Sequence, residues 1–335
     1  LQEIFPMPFD VLWLSRADIE TLGITMRELM DEIETGFAAL GRGEVELPAK
    51  IGVHPRPDSF IHAMPCYVGG GLDIAGLKCV CGFPQNNRKG LPALTGLWTL
   101  LDTETGLPRA VMDAGWITAW RTGAATGVYA KHFGAPDTQT VAVIGLGVQG
   151  RMNLRALAEV FPGISEVRTL GHAPAHGPKY EADMAPLLPR ARFIHCASAQ
   201  EAVTGADVVV TCTPLSTKPE RFVKAEWLKP DVLAIAVDYD AAFEADVMAG
   251  ADSFTTDDAN QYLRTRESGP YFQNSYPGKD DLHSDMGEIC AGKKTGLRRG
   301  RRGAVLMGIA LHDVMAGHLL YEKALERRTG TWVQL

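Results

Sequence analysis

The sequence predicts an α/β protein built in two parts: a doubly wound parallel sheet, and a second α+β domain whose strands are mostly antiparallel. Three observations predict it. The run Val141-Ala142-Val143-Ile144 enters the glycine turn Gly145-Leu146-Gly147-Val148-Gln149-Gly150. Apolar strand-like runs then alternate with helical stretches from Thr140 to Thr255, the pattern of a parallel sheet covered by helices. Before them, from Leu47 to Leu101, short apolar runs are broken by Gly and Pro, as in antiparallel strands joined by turns.

At 335 residues the chain exceeds one ordinary core and suits two domains. Apolar spacing from Met26 to Leu40 predicts helix within a helix-rich opening over residues 10–42. Strands are expected at Phe60 to Met64, Gly76 to Cys81 and Leu94 to Leu101, then a turn at Asp102 to Gly106 and a returning strand at Pro108 to Met112. Trp116 to Phe133 reads as an Ala-rich helix. In the second part, strands are expected at 141–144, 166–170, 192–196, 208–212, 232–237 and 253–255, with a helix over 148–160. Gly303 to Arg327 returns to helical spacing and can pack back on the first domain. The expected division is residues 1–115 plus 309–335 for the mostly antiparallel domain, and 116–308 for the doubly wound one.

Composition narrows the function. Lys plus Arg is 33 and Asp plus Glu 40, a formal net charge of −7, which argues against a nucleic-acid binder. No stretch approaches the length of a membrane helix, and no basic segment followed by an apolar run marks a secretory signal. A soluble, cytoplasmic protein is the expectation. The six cysteines are scattered; Cys79 and Cys81 should face the same way, but no second pair completes a zinc site, so buried thiols and no metal are expected. Lys293 to Arg302 holds six basic residues in ten positions, which reads as a solvated loop.

The glycine turn carries specific physics, because it follows a strand and opens a helix. Gly145 permits the tight turn, Gly147 admits the backbone to a pyrophosphate, and Gly150 allows close helix–strand packing. The helix N-terminus presents unpaired N–H groups to phosphate. This is the Rossmann arrangement and implies NAD or NADP. The second strand and its exit, Val167 to Ala173, contain no acid to hold a ribose 2′-hydroxyl, which leans towards NADP; His172 and Lys179 are the nearest partners for its 2′-phosphate.

Isolated cations stand inside apolar segments at Lys50, Lys78 and Arg121. Each can snorkel at an edge or grip a carboxylate, for which a guanidinium is best suited. Asp238 and Asp240 follow the strand at 232–237, at its carboxyl end, where ligands bind in open sheets. Each can cap the next element or handle a proton.

Taken together, these stretches resemble the ornithine cyclodeaminase/mu-crystallin family. The resemblance rests on Leu47-Pro48-Ala49-Lys50, Met64-Pro65, Leu77-Lys78 leading to Gly82-Phe83-Pro84-Gln85-Asn86, Gly90-Leu91-Pro92, Ile117-Thr118-Ala119-Trp120-Arg121-Thr122, the Gly145 turn with Gln149, and Met286-Gly287-Glu288-Ile289. It implies a homodimer formed through the substrate domains and an NAD(P)-dependent enzyme acting on the C–N bond of a small amino or imino acid. The reaction would be cyclodeamination, ketimine reduction or amino-acid dehydrogenation. A non-catalytic NAD(P)H-binding crystallin-like or accessory protein is the alternative. The catalytic candidates are Asp240, Lys78 and Asp238, and the substrate-binding ones Lys50, His62, Lys78 and Arg121. Cofactor binding falls to Thr122, Gly145, Gly147, Val148, Gln149, Gly150, His172, Thr211, Thr213 and Val237. Some positions depart from the family. His62 replaces a glutamate, Ala93 a threonine, and Asp238-Tyr239-Asp240 a glycine-rich approach; no lysine follows in Ala241 to Ala245. These departures point away from ornithine as substrate.

Overall fold

The computed structural model describes residues 8–335. In chain order its first elements are β1 (Asp10–Leu14), α1 (Arg16–Thr21), α2 (Met26–Arg42), β2 (Val45–Glu46), β3 (Ile51–Val53), β4 (Phe60–Val68), β5 (Ile74–Gly82), β6 (Leu94–Leu101), β7 (Pro108–Asp113) and α3 (Ala114–Phe133). Then come β8 (Thr140–Ile144), α4 (Val148–Val160), β9 (Glu166–Leu170), α5 (His176–Met184), β10 (Arg192–His195), α6 (Ala199–Val203), β11 (Val208–Thr211), β12 (Leu233–Ala236), α7 (Ala245–Ala249) and β13 (Ser253–Thr256). The last are α8 (Ala259–Ser268), β14 (Ser284–Asp285), α9 (Met286–Cys290), β15 (Arg302–Val305), α10 (Ala310–Arg327) and β16 (Thr331–Gln334). No helix among the described residues is long and apolar enough to cross a membrane.

Packing divides the chain into two units. The first comprises the chain up to Thr25, Glu44–Thr118 and Ala310–Leu335; the second comprises Met26–Gly43 and Ala119–Ile309. Thus α2 packs with the second unit although its neighbours in sequence belong to the first.

The first unit is built on a mixed sheet in the order β16-β1-β7-β6-β5-β4-β2, with β3 also paired to β4. Its pairings are antiparallel except β1 with β7. The alternation of β4 to β7 sends Met64, Lys78, Val80, Trp98 and Met112 to the buried face. That face is covered by α10, where Gly317 lets the helix lie against the Trp98 ring; a Cβ there would come within 2.5 Å of it.

The second unit is an eight-stranded sheet in the order β10-β9-β8-β11-β12-β15-β13-β14, parallel throughout. Strands β8, β11, β12 and β15 lie inside it and are almost wholly buried, as strands covered on both faces must be. The direction of winding reverses between β8 and β11. The carboxyl ends of those strands therefore flank a switch-point crevice.

Two expectations from sequence are corrected. Within the supposed helical stretch from Gly303, Arg302–Val305 is a strand, inserted between β12 and β13; a short apolar run buried on both sides has no periodicity to tell strand from helix. The helix-rich opening begins with β1, an apolar run ended by the Ser15–Asp18 capping box of α1.

Candidate functional site: the dinucleotide turn and the buried charges

In the second unit, β8 runs into Gly145, whose φ is +96°, a conformation natural to glycine. A Cβ at Gly145 would fall 2.4 Å from the Cys212 carbonyl oxygen, and one at Gly150 would fall 2.2 Å from the Gly145 carbonyl oxygen. Both glycines are therefore required by packing. Gly147 differs: a Cβ there meets nothing within 4 Å, so the backbone at Gly147 faces open space. It is also the N-cap of α4 and supplies no side-chain cap. The first amides of α4 consequently remain available to an anion. Beside the turn, Val148 is exposed, Gln149 half-buried and Thr122 buried.

Opposite the turn, Asp238 joins the ends of two strands. It is buried, and accepts hydrogen bonds from the Thr211 hydroxyl at 2.5 Å, the Thr213 hydroxyl at 2.6 Å and the Thr213 amide at 2.9 Å. Burial raises its carboxyl above the usual range, while these donors pull it back down. Val237 extends β12 by donating its amide to the Thr211 carbonyl. Asp238 thereby fixes Thr211 and Thr213 at the crevice, the work of a positioning residue.

A cavity of about 450 Å³ opens at the same strand ends, lined by Gly145, Gly171, His172, Thr213, Ser216 and Lys218 among others. It also receives Glu220. His172 reaches the cavity, whereas Lys179 sits on α5 and does not line it. Sequence reasoning missed Ser216, Lys218 and Glu220; they lie in an irregular segment with no periodic signal.

Asp240 is fully buried and anchored. Its Oδ2 pairs with Arg221 Nη2 at 2.5 Å and accepts the Phe272 amide at 2.9 Å. Arg221 itself also donates to the Gln273 carbonyl. Arg221 was not a sequence candidate, since an isolated arginine after a proline-rich stretch carries no motif.

Arg121, also in the second unit, is 5% exposed. It packs on the turn after β15. Gly308 there has φ +72°, and a Cβ would fall 1.9 Å from Arg121 Nη1. Asp257 Oδ2 accepts the Gly308 amide at 2.6 Å, which fixes the turn.

The first unit contributes a cationic group on the α10 side of its sheet. Lys78 faces Met64 on β4 and Trp98 on β6, and its ammonium pairs with Asp313 of α10 at 2.6 Å, both side chains being fully buried. His62 lies on the same face and stacks on Phe60, ring centroids 4.2 Å apart. Burial first, then the positive charges of Lys50, His54 and Lys78, push its pKa down to about 4. Asp313, too, is a residue that sequence did not single out.

The basic run is a largely exposed loop, as expected: Lys293, Lys294, Arg298 and Arg299 are exposed. Arg302 is the exception, at 1% exposure; it donates to the Phe133 carbonyl and pairs with Asp231 at 2.6 Å. From the surface, Arg298 donates to the carbonyls of Lys131 and Gly134, and Arg299 pairs with Asp137 and Asp231. The run thereby caps the C-terminal end of α3 and the loop beyond it. The cysteines differ from expectation: Cys66 is buried, Cys79 exposed and the other four intermediate.

A parallel sheet with an open glycine turn at its switch point, in a chain whose other unit buries the cation Lys78, defines a dinucleotide-binding two-unit α/β protein. The family model for ornithine cyclodeaminase/mu-crystallin proteins matches residues 10–328, and the chain belongs to that family. It is 32% identical over 330 residues to the nodulation efficiency protein NfeD of Rhizobium meliloti, covering 96% of this chain and 98% of that protein. Among solved structures, Thermococcus litoralis Delta(1)-pyrroline-2-carboxylate reductase in complex with NADH and L-proline superposes with a TM-score of 0.85. The identity is 29%, over 96% of this chain and 99% of that one. An archaeal alanine dehydrogenase dimer with bound NAD also gives a TM-score of 0.85, at 30% identity over 97% and 99%.

Proposed function

We propose that this protein is an NAD(P)-dependent oxidoreductase acting at the carbon–nitrogen bond of a small amino or imino acid, with net oxidation or reduction rather than cyclodeamination. The observation that carries the reading is the open Gly147 backbone over the uncapped N-terminus of α4, at the point where the sheet reverses. The relatives solved with NADH and L-proline and with NAD support it.

Gly145, Gly147, Val148, Gln149 and Gly150 would hold the pyrophosphate, with Thr122, Thr211, Thr213 and Val237 alongside. His172, Ser216 and Lys218 line the cavity where a 2′-phosphate would be met by cations, and Glu220 is placed to favour a 2′-hydroxyl instead. When bound, the nicotinamide supplies reversible two-electron transfer with the carbon bearing nitrogen. Lys50, Lys78 and Arg121 serve the substrate carboxylate. Asp313 already offsets the charge of Lys78.

One feature supports the net-redox direction. His62 is neutral in the physiological range, so it offers a hydrogen bond but no counter-charge for a second ammonium group. Asp240 has one oxygen, Oδ2, in an ion pair with Arg221, and its buried Oδ1, without a hydrogen-bond partner among the described residues, is the one that would handle a proton at nitrogen in either direction. The outer face of the first sheet, with Leu77, Cys79 and Leu97 exposed, would be covered in the homodimer.

Absorbance of reduced nicotinamide tests the reading, with NAD⁺ or NADP⁺ across a panel of L-amino acids and with NADH or NADPH across cyclic and acyclic imines. Sustained change on one substrate is expected. Ammonia release without net absorbance change would replace it with cyclodeamination. Tight binding of the dinucleotide with neither signal would replace it with a non-catalytic NAD(P)H-binding protein.

A further inference from the structure

Three side chains of the second unit converge on one point away from the glycine turn. Glu34 comes from α2, His132 from the last turn of α3, and Cys290 ends α9. His132 Nε2 lies 2.7 Å from Glu34 Oε1 and 3.9 Å from Cys290 Sγ. The three donor atoms all lie within 4.8 Å of one another. An ion pair explains part of this arrangement, since Lys131 also binds Glu34 through its other oxygen. It does not explain the thiol, which adds nothing to an ion pair yet is aimed at the imidazole nitrogen from a separate helix.

Zinc–sulfur and zinc–nitrogen bonds of about 2.3 and 2.05 Å at a tetrahedral angle put the sulfur and nitrogen about 3.6 Å apart. The observed sulfur–nitrogen separation is within a few tenths of an ångström of that, whereas nitrogen and carboxylate oxygen on the same ion lie about 3.3 Å apart, so the 2.7 Å contact of His132 with Glu34 has to open to admit it. The frame around the site is stiff. A Cβ on Gly41 of α2 would fall 1.9 Å from the Gly287 carbonyl of α9, so those helices touch through their backbones. Arg298 and Arg302 hold the end of α3 through its carbonyls. On such a frame the backbone can stay in place while the Glu34 carboxylate turns from its hydrogen bond with His132 to the ion.

We propose that Glu34, His132 and Cys290 form a binding site for a divalent transition-metal ion of the zinc class, which clamps α2, α3 and α9 together. The donor set of one carboxylate, one imidazole and one thiolate suits zinc, and a three-ligand site leaves its fourth position to water. Binding breaks the Cys290 S–H bond and releases one proton to solvent as the metal–sulfur bond forms. His132 shifts its proton to Nδ1, freeing the Nε2 lone pair. The two anions balance the dication, and Lys131 orients the carboxylate as an outer partner.

Cobalt(II) titration of the chelator-treated full chain is the test. The expected result is a thiolate-to-cobalt charge-transfer band that saturates at one equivalent. It should vanish in Cys290→Ser, persist in Cys66→Ser, and need at least about tenfold more cobalt in Glu34→Gln. Zinc should raise the melting temperature of the wild type and not of Cys290→Ser. Absence of the band in the wild type, its persistence in Cys290→Ser, or an equal melting shift in both proteins would overturn the proposal. None of these readouts depends on the redox reading, so failure of one leaves the other standing.

Discussion

Replacing Asp313 by Asn keeps the shape of the side chain and removes the charge that faces Lys78. Both groups have no exposure and sit 2.6 Å apart, so neither can recruit water when the other is altered. Breaking such a pair by neutralising one partner leaves a buried charge uncompensated, which costs about 3–5 kcal/mol. With a urea slope of about 3 kcal/mol/M, the unfolding midpoint should fall by about 1–1.7 M. The loss should appear locally as faster amide exchange in β4, β5 and β6, which α10 covers. Converting both partners, as Lys78→Met with Asp313→Leu, removes the charge and its counter-charge together. Stability should then return to within about 1 kcal/mol of the wild type. The double variant should nevertheless lose turnover, because Lys78 also serves the substrate in the proposed function. A cost below about 1 kcal/mol for Asp313→Asn, or a double variant as weak as the single one, would refute the reasoning.

Gly147→Ala should leave stability within about 0.5 kcal/mol, since its Cβ enters open space, while NADH titration by fluorescence shows clearly weaker binding; unchanged affinity would remove the turn from the cofactor site. Gly308→Ala should push the Arg121 guanidinium aside and raise KM for the amino or imino acid with little effect on NADH affinity, a split that steady-state kinetics resolves. His62 should make stability depend on pH. Its pKa is lowered to about 4 in the folded protein against 6.5 unfolded, so between those values the unfolded chain binds more protons and stability falls as pH drops from 6.5 to 4. Replacing it by Asn should flatten that part of the profile, measured as urea midpoints across the range; an unchanged slope would sink the assignment.

The strands of the parallel sheet were legible because each is a short apolar run next to a turn signal, and the glycine turn was legible because strand, turn and helix stand in fixed order. β15 was not: Arg302-Gly303-Ala304-Val305 flows into an equally apolar helix, and only the tertiary partners β12 and β13 make it a strand. The cations Lys78 and Arg121 stood out as charges inside apolar segments. Their neighbours Asp313 and Gly308 did not, because a pairing across the fold leaves no local pattern. Lys293 to Arg302 was legible as a solvated loop, since Lys293, Lys294, Arg298 and Arg299 are exposed; what composition could not show is that Arg302 at its end is buried against partners distant in sequence.

Asp238 and Asp240 stand two residues apart after the same strand and do different work. Asp238 accepts three hydrogen bonds from Thr211 and Thr213, which shapes the cofactor side of the crevice. Asp240 is turned to Arg221 and the Phe272 amide, because Tyr239 between them adopts a left-handed backbone with φ +62°. Arg221, Phe272, Asn274 and Ser275 share that left-handed region, with φ from 47 to 68°. Such residues cost about 1–3 kcal/mol each and persist only where surrounding structure holds them. The strain therefore gathers around one carboxylate and its arginine. A glycine-rich approach, as in the family pattern, would reach the same place with little strain and without Tyr239, whose ring packs on Tyr271 and Phe272. In this chain the approach has become an aromatic and ionic lock on Asp240. That lock holds only Oδ2: Oδ1 is buried without a hydrogen-bond partner among the described residues, so one oxygen anchors the segment around Phe272 while the other stays open to a proton.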